Sequence, residues 1–138
     1  MELKDRIAES FGKQRFLSTI GARLETVEPG RVTISCGARA DLTQQDGFMH
    51  AGVIATVADV ACGYAAMSLM GEDYRMMSVE FKLNMLRPMA GARVLATGRV
   101  VKPGKTLFVT EAEVRDADSG KLIAQMLGTM IAVKATED

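Results

Sequence analysis

Apolar residues recur along the chain first with a helical period and later with a period of two. Leu3, Ile7 and Phe11 stand four apart among charged neighbours, which predicts a short amphipathic helix stopped at Gly12. Phe16, Leu17 and Ile20 continue an apolar segment that reads equally as a helical turn or the approach to a strand. Residues 23–27 form a weak strand candidate, Glu28-Pro29-Gly30 a turn, and residues 31–36 a half-buried strand with Val32, Ile34 and Cys36 on one face. A polar loop over residues 40–49 feeds a run from Gly52 to Met70 that lacks Pro, is dense in Ala and is apolar on every side. Such a helix is expected to be buried all round. It is too rich in small and polar residues to span a membrane comfortably.

Gly71-Glu72-Asp73 is expected to end that helix, after which the period becomes two. Val79, Phe81, Leu83 and Met85 alternate with Ser78, Glu80, Lys82 and Asn84, the cleanest strand pattern in the chain. Pro88 and Gly91 bracket a turn, residues 93–102 read as a strand, Pro103-Gly104 as a turn and residues 106–115 as a strand. Asp116-Ala117-Asp118-Ser119-Gly120 is a strong turn, and residues 122–133 form a last strand. Strands joined this tightly run antiparallel. One apolar helix followed by an antiparallel meander implies an α+β fold, a curved sheet wrapped around the helix. No repeat, low-complexity tract or linker interrupts it. We read residues 1–138 as one domain whose first 20 residues form an N-terminal helical segment.

Composition narrows the function. Lys plus Arg and Asp plus Glu both number 17, so no overall field recruits nucleic acid or an anionic membrane. With no Trp, two Tyr and five Phe, the chain also lacks material for a base-stacking surface. Cys36 and Cys62 do not make a disulfide framework, and reduced thiols suit the cytoplasm. The opening Met-Glu-Leu-Lys-Asp-Arg has no apolar signal core, so export is not expected. One histidine and two scattered cysteines do not supply the usual zinc ligands, so no metal is expected. The ten methionines read as core filler or, alternatively, as the lining of an adaptable apolar pocket.

Two residues in or beside the long apolar run carry candidate chemistry. Asp59 is its one ionisable group, and a carboxylate there is unfavourable unless paired, protonated or used. The bland alternative is a structural carboxylate bonded to Thr56 or to a neighbouring helix. His50, the only histidine, stands where the helix begins, as a catalyst or as a residue whose ring bonds backbone. Cys62 lies three residues beyond Asp59 on the same face, but no second histidine is available to activate it. It therefore reads as core packing.

The pattern Gln44-x-x-Gly47-x-x-His50-Ala51-Gly52, then Asp59, then Ser78-Val79-Glu80 resembles the hotdog-fold acyl-CoA thioesterases, in particular the phenylacetate-pathway branch. Arg87-Pro88, the stretch Lys102-Pro103-Gly104-Lys105-Thr106-Leu107 and Ser119-Gly120-Lys121-Leu122-Ile123-Ala124-Gln125 fit as well, so the likeness runs from about residue 20 to the end. It implies a hotdog fold and sites at a dimer interface. Asp59 would attack the thioester carbonyl or activate water, and the backbone N–H of Ala51 or Gly52 would bind the oxyanion. Gln44 would help place the substrate and Ser78 would orient the water. Many members read His-Gly-Gly where this chain has His50-Ala51-Gly52; Ala keeps the N–H, but a positive φ there would be strained.

Elementary physics agrees with these roles. A helix start presents unpaired N–H groups suited to an oxyanion, and a poorly solvated carboxylate is a better base or nucleophile. Nine residues at about 100° each put His50 and Asp59 on opposite faces, about 13 Å apart along the axis. A two-fold pair of chains resolves this by facing the helix start of one copy to Asp59 of the other. Arg87, Lys102 and Lys105 can pair with the phosphates of coenzyme A, with Gly104 allowing close approach and Thr106 in the same motif; the bland alternative is that the turn lysines are merely solvated. Met49, Met67 or Met77 are candidates to line the acyl channel.

The sequence thus points to a cytoplasmic acyl-CoA thioesterase, a homodimer or dimer of dimers, needing no cofactor beyond the coenzyme A of its substrate. The alternatives are a hydratase on the same fold and a non-catalytic acyl-CoA-binding module. Acyl length and pathway are not encoded in any motif.

Overall fold

The computed structural model describes residues 1–135. Two short helices, α1 (Leu3–Gly12) and α2 (Arg15–Ile20), lead into the hairpin β1 (Ala22–Glu28) and β2 (Arg31–Gly37). A 3-10 turn at Ala40–Leu42 precedes the long helix α3 (Ala51–Met67). Then come β3 (Tyr74–Met85), β4 (Arg93–Lys102), β5 (Leu107–Asp116) and β6 (Leu122–Lys134). The six strands form one antiparallel sheet in the order β1-β2-β4-β5-β6-β3, and α3 packs on one face against all of β2 to β6. This is the hotdog arrangement the resemblance implies.

Period-two burial builds the helix side of the sheet. Val32, Ile34 and Cys36 of β2, Val94 and Ala96 of β4, Ala112 and Val114 of β5, and Met126 and Met130 of β6 all face α3 and are buried. The helix meets them with Ala58, Ala61, Cys62 and Ala65, all at 0% exposure, so it lies very close to the strands. Gly98 of β4 marks the closest approach, since a Cβ there would collide with the backbone of Ala61 and Cys62. At the hairpin, Gly30 adopts φ 77°, the left-handed conformation its turn requires.

Three expectations need correction. The strands do not form a simple meander: β3 pairs only with β6, at the far edge from β4. Residues 86–92 are therefore a crossover rather than a hairpin turn. The N–H groups of Leu86 and Arg87 donate to Ile123 O (2.8 and 3.2 Å), Met89 O accepts from Met49 N (3.0 Å), and Ala92 O accepts from Ala38 N (2.8 Å). The helix stops at Met67, three residues before Met70: Ser68 caps it, Met70 N–H closes a turn onto Met67 O (3.0 Å), and Arg6 Nη2 donates to the carbonyls of Met67 and Met70 (3.0 and 3.1 Å). Nor is α3 covered all round. Ala51 and Gly52 are exposed, and Ala55, Thr56, Asp59 and Val60 are only half-buried, leaving one face open.

The ambiguous segment at Phe16–Ile20 is helical, with Leu17 and Ile20 buried and Gly21 closing α2 at φ 77°. Both N-terminal helices are fastened to α3 through Tyr64. Its hydroxyl hydrogen-bonds Ser10 Oγ (3.0 Å) and accepts from Gln14 Nε2 (2.7 Å). Among the described residues no helix is long and apolar enough to cross a membrane.

Candidate active site

The α3 start is built by the loop before it. Gln44 Oε1 accepts from the N–H groups of Asp46 (2.6 Å) and Phe48 (3.2 Å), and Gly47 turns the chain at φ 86°. The loop thus occupies the carbonyl end of the side chain expected to place substrate. Thr43 bridges to Met49, and His50 N–H donates to Leu42 O (2.9 Å). His50 is the N-cap of α3, its Nδ1 accepting from Gly52 N–H at 2.8 Å, which leaves the ring proton on Nε2. This is the backbone-bonding alternative for His50. It also distinguishes the two candidate amides: Gly52 N–H is engaged, whereas no described residue accepts from Ala51 N–H. Among the described residues no non-Gly residue has positive φ, so Ala51 sits in the helix without strain.

Asp59 lies two turns on, in the open face of α3. Ser78 Oγ–H donates to its Oδ1 at 2.7 Å, and the other carboxylate oxygen has no donor among the described residues. Thr56 is not its partner, because that hydroxyl donates to Gly52 O at 2.8 Å. Burial pushes the Asp59 carboxyl above the usual carboxylate range, and the Ser78 hydrogen bond pulls part of the way back. The site thus holds a carboxylate short of solvation, oriented through one oxygen and open at the other. Geometrically that suits a base or a nucleophile.

The meeting of Ser78 and Asp59 depends on a β-bulge. Simple alternation puts Ser78 on the outer, polar side of β3. In the structure Ser78 pairs with the inward Met130, the register slips between Ser78 and Glu80, and Phe81 then pairs with the inward Gly128. Val79 is the extra residue. The slip turns Ser78 toward α3 as well as Phe81, Leu83 and Met85. These last three face the helix side but are only partly covered, because β3 is an edge strand. Of the four apolar residues of that alternation, Val79, Phe81 and Met85 are 55%, 45% and 42% exposed, and Leu83 is half-buried.

The remaining candidates divide between the two ends of the sheet. Arg87 stands beside the α3 start, where its Nη1 donates to Leu122 O (2.8 Å). Lys102, Gly104, Lys105 and Thr106 belong to the β4–β5 turn, where Thr106 O accepts from Ala132 N (2.8 Å). Ile123 and Ala132 are nine residues apart along β6, so Arg87 and the turn are separated by roughly 30 Å within one chain. They do not form one phosphate site there. Gly104 has a local reason to be glycine, since a Cβ would strike Leu107 O.

The methionines do not converge either. Met49 is in the core at 4% exposure, Met67 lies under α1, and Met77 is 56% exposed on the other side of β3 from Ser78. Cys62 is fully buried and burial is the main reason its thiol is pushed up to about 12, so it packs rather than reacts.

One feature escaped the sequence entirely. A groove of about 320 Å³ runs along the open face of α3, with Ala55, Thr56, Asp59 and Val60 on its floor. Gln14, Phe16 and Leu17 form one wall and Phe81 stands on the other. No spacing or motif could have joined residue 16 to residue 81.

Known proteins share this architecture. A solved thioesterase family protein from Silicibacter pomeroyi superposes with a TM-score of 0.93 at 43% identity, covering 97% of this chain and all (100%) of that one. Human acyl-coenzyme A thioesterase 13 is 30% identical over 105 residues, 74% of this chain and 73% of its own length. The 1,4-dihydroxy-2-naphthoyl-CoA hydrolase of Listeria monocytogenes is 28% identical over 116 residues, 84% of this chain and 93% of that protein. Residues 46–123, which include the α3 start, Asp59 and Ser78, match the thioesterase superfamily. The chain is a thioester hydrolase and belongs to that superfamily.

Proposed function

We propose that the protein hydrolyses acyl-CoA thioesters to the free acid and coenzyme A at sites shared between two copies of the chain. Asp59 is the nucleophile or the general base, and the Ala51 N–H at the helix start of the other copy receives the oxyanion. As a base, Asp59 takes a proton from water as the water oxygen bonds the carbonyl carbon, and the proton passes to the thiolate when the C–S bond breaks. As a nucleophile, Asp59 forms a mixed anhydride as the thiolate leaves, and water then hydrolyses it to the free acid and supplies the thiol's proton. The observation that carries this reading is Asp59 itself: half-buried, anchored by Ser78 and open at its second oxygen. Eight residues of α3 separate Ala51 from Asp59, about 12 Å along the axis. One chain therefore does not offer both to a single carbonyl, and a two-fold pairing supplies the missing half. Support for that pairing comes from the unpaired edge of β3, with Val79 and Met85 exposed.

The test is thiol release from a panel of acyl-CoAs by the wild type and Asp59→Ala. The substitution should lower kcat on the order of 10³-fold while the fold persists. Equal rates in both would end the proposal. Ala51→Pro removes the candidate oxyanion donor at a position where Pro is tolerated, since it is the first helical residue and His50 before it is extended at ψ 138°. Mixing inactive Ala51→Pro and Asp59→Ala chains should restore up to about a quarter of wild-type activity, because one site in each mixed pair is intact. Mixed pairs without activity would refute the shared site.

A further inference from the structure

We infer that Phe16 is the specificity-determining wall of the acyl site, setting the longest acyl chain the enzyme accepts. The inference rests on the thioesterase reading and deepens it. The groove that contains Asp59 is bounded on one side by the N-terminal segment, which lies outside the family match at residues 46–123. Apart from Asp59 the groove's lining carries no charged side chain. A polyanionic nucleotide would meet only a carboxylate there, so the half of the substrate that suits this groove is the apolar acyl chain.

The floor is kept low by Ala55 and Thr56, while Phe16 rises over it at 59% exposure and Phe81 faces it at 45%. Two large aromatic rings left open to water flank the reactive carboxylate, and an acyl chain between them would bury both. The Phe16 wall is also held firmly. Its neighbour Leu17 is 1% exposed and Ile20 5%, locking α2 onto the core. Gln14, itself a groove residue, donates to the Tyr64 hydroxyl, and Tyr64 lies on the helix that carries Asp59. The distance from the reacting carbon to Phe16 is thus fixed through α3, as a chain-length ruler requires.

The experiment measures kcat/KM for straight-chain acyl-CoAs from acetyl to palmitoyl with wild type, Phe16→Ala and Phe16→Trp. Wild-type kcat/KM should rise by up to about fourfold per methylene and then fall where the chain meets the ring. Phe16→Ala should move that fall to longer chains and Phe16→Trp to shorter ones. Because Phe16 is exposed, both variants should fold with nearly unchanged Tm. Parallel profiles in three active enzymes would overturn the inference and leave the thioesterase reading intact. A change in oligomeric state without a change in profile would overturn it too, giving the groove to a second copy of the chain. No turnover of any acyl-CoA by the wild type would overturn both.

Discussion

Ser78→Ala tests the side-chain hydrogen bond that holds the catalytic candidate Asp59. The Ser78 hydroxyl donates to Asp59 Oδ1 at 2.7 Å, a hydrogen bond to a charged acceptor. Such bonds contribute about 1.5–3 kcal/mol when shielded. Asp59 is only half-buried, so water replaces part of the lost bond, and we discount the figure to about 1 kcal/mol. That bond favours the ionised carboxylate, against the burial that raises its pKa. Removing it raises the pKa further, so the acid limb of the kcat/KM profile should move to higher pH. At a fixed pH on that limb, 1 kcal/mol corresponds to about fivefold lower kcat/KM. The assay is thiol release across the acid limb with a saturable acyl-CoA, run beside Ser78→Thr, which keeps a hydroxyl and should keep the limb. A uniform loss of rate with the limb unmoved would refute this reasoning, because Ser78 would then act without altering the ionisation of Asp59.

Asp59→Asn should stabilise the protein at neutral pH. The folded-state pKa of Asp59 lies above its unfolded value, so the favourable protonated state holds below the unfolded value near 3.8 and is lost as pH rises through the folded pKa. Thermal melts should show the variant higher by on the order of 1–3 °C at neutral pH, with the gap closing in acid; a gap that does not close would contradict the assignment. Gly98→Ala should destabilise by roughly 1–3 kcal/mol, because its Cβ meets the backbone of Ala61 and Cys62, which has no rotamer with which to yield. Urea unfolding with wild-type stability would show that α3 does not lie that close to β4.

The sheet was legible in the sequence wherever a strand has neighbours on both sides and a helix above it. There alternation is enforced by burial, as in Val32-Ile34-Cys36 and in Val94-Ala96-Gly98. At β3 the strand itself was legible, but the side each residue faces was not, because two facts that periodicity does not encode intervene. The strand lies at an edge, and a single extra residue, Val79, reverses which side Ser78 faces. That reversal is what brings Ser78 to Asp59. Asp59 was conspicuous as the only charge in an apolar run. The Phe16 wall was not, because α2 has six residues and its role comes from a fold contact through Tyr64 and Gln14.

The small residues of α3 connect these observations. Ala58, Ala61 and Ala65 let the helix sit close enough for Gly98 to touch its backbone, and that closeness turns the opposite side, with Ala55, Thr56 and Asp59, toward the groove. A larger residue on the sheet side would lift Asp59 away from Ser78, which is fixed by its ladder to Met130. A larger residue at Ala55 would fill the groove between Phe16 and Asp59. The carboxylate therefore keeps its geometry because the helix is thin on both sides. The incomplete burial that makes this face look unfinished in one chain is the condition for substrate, or a second copy's helix start, to reach it.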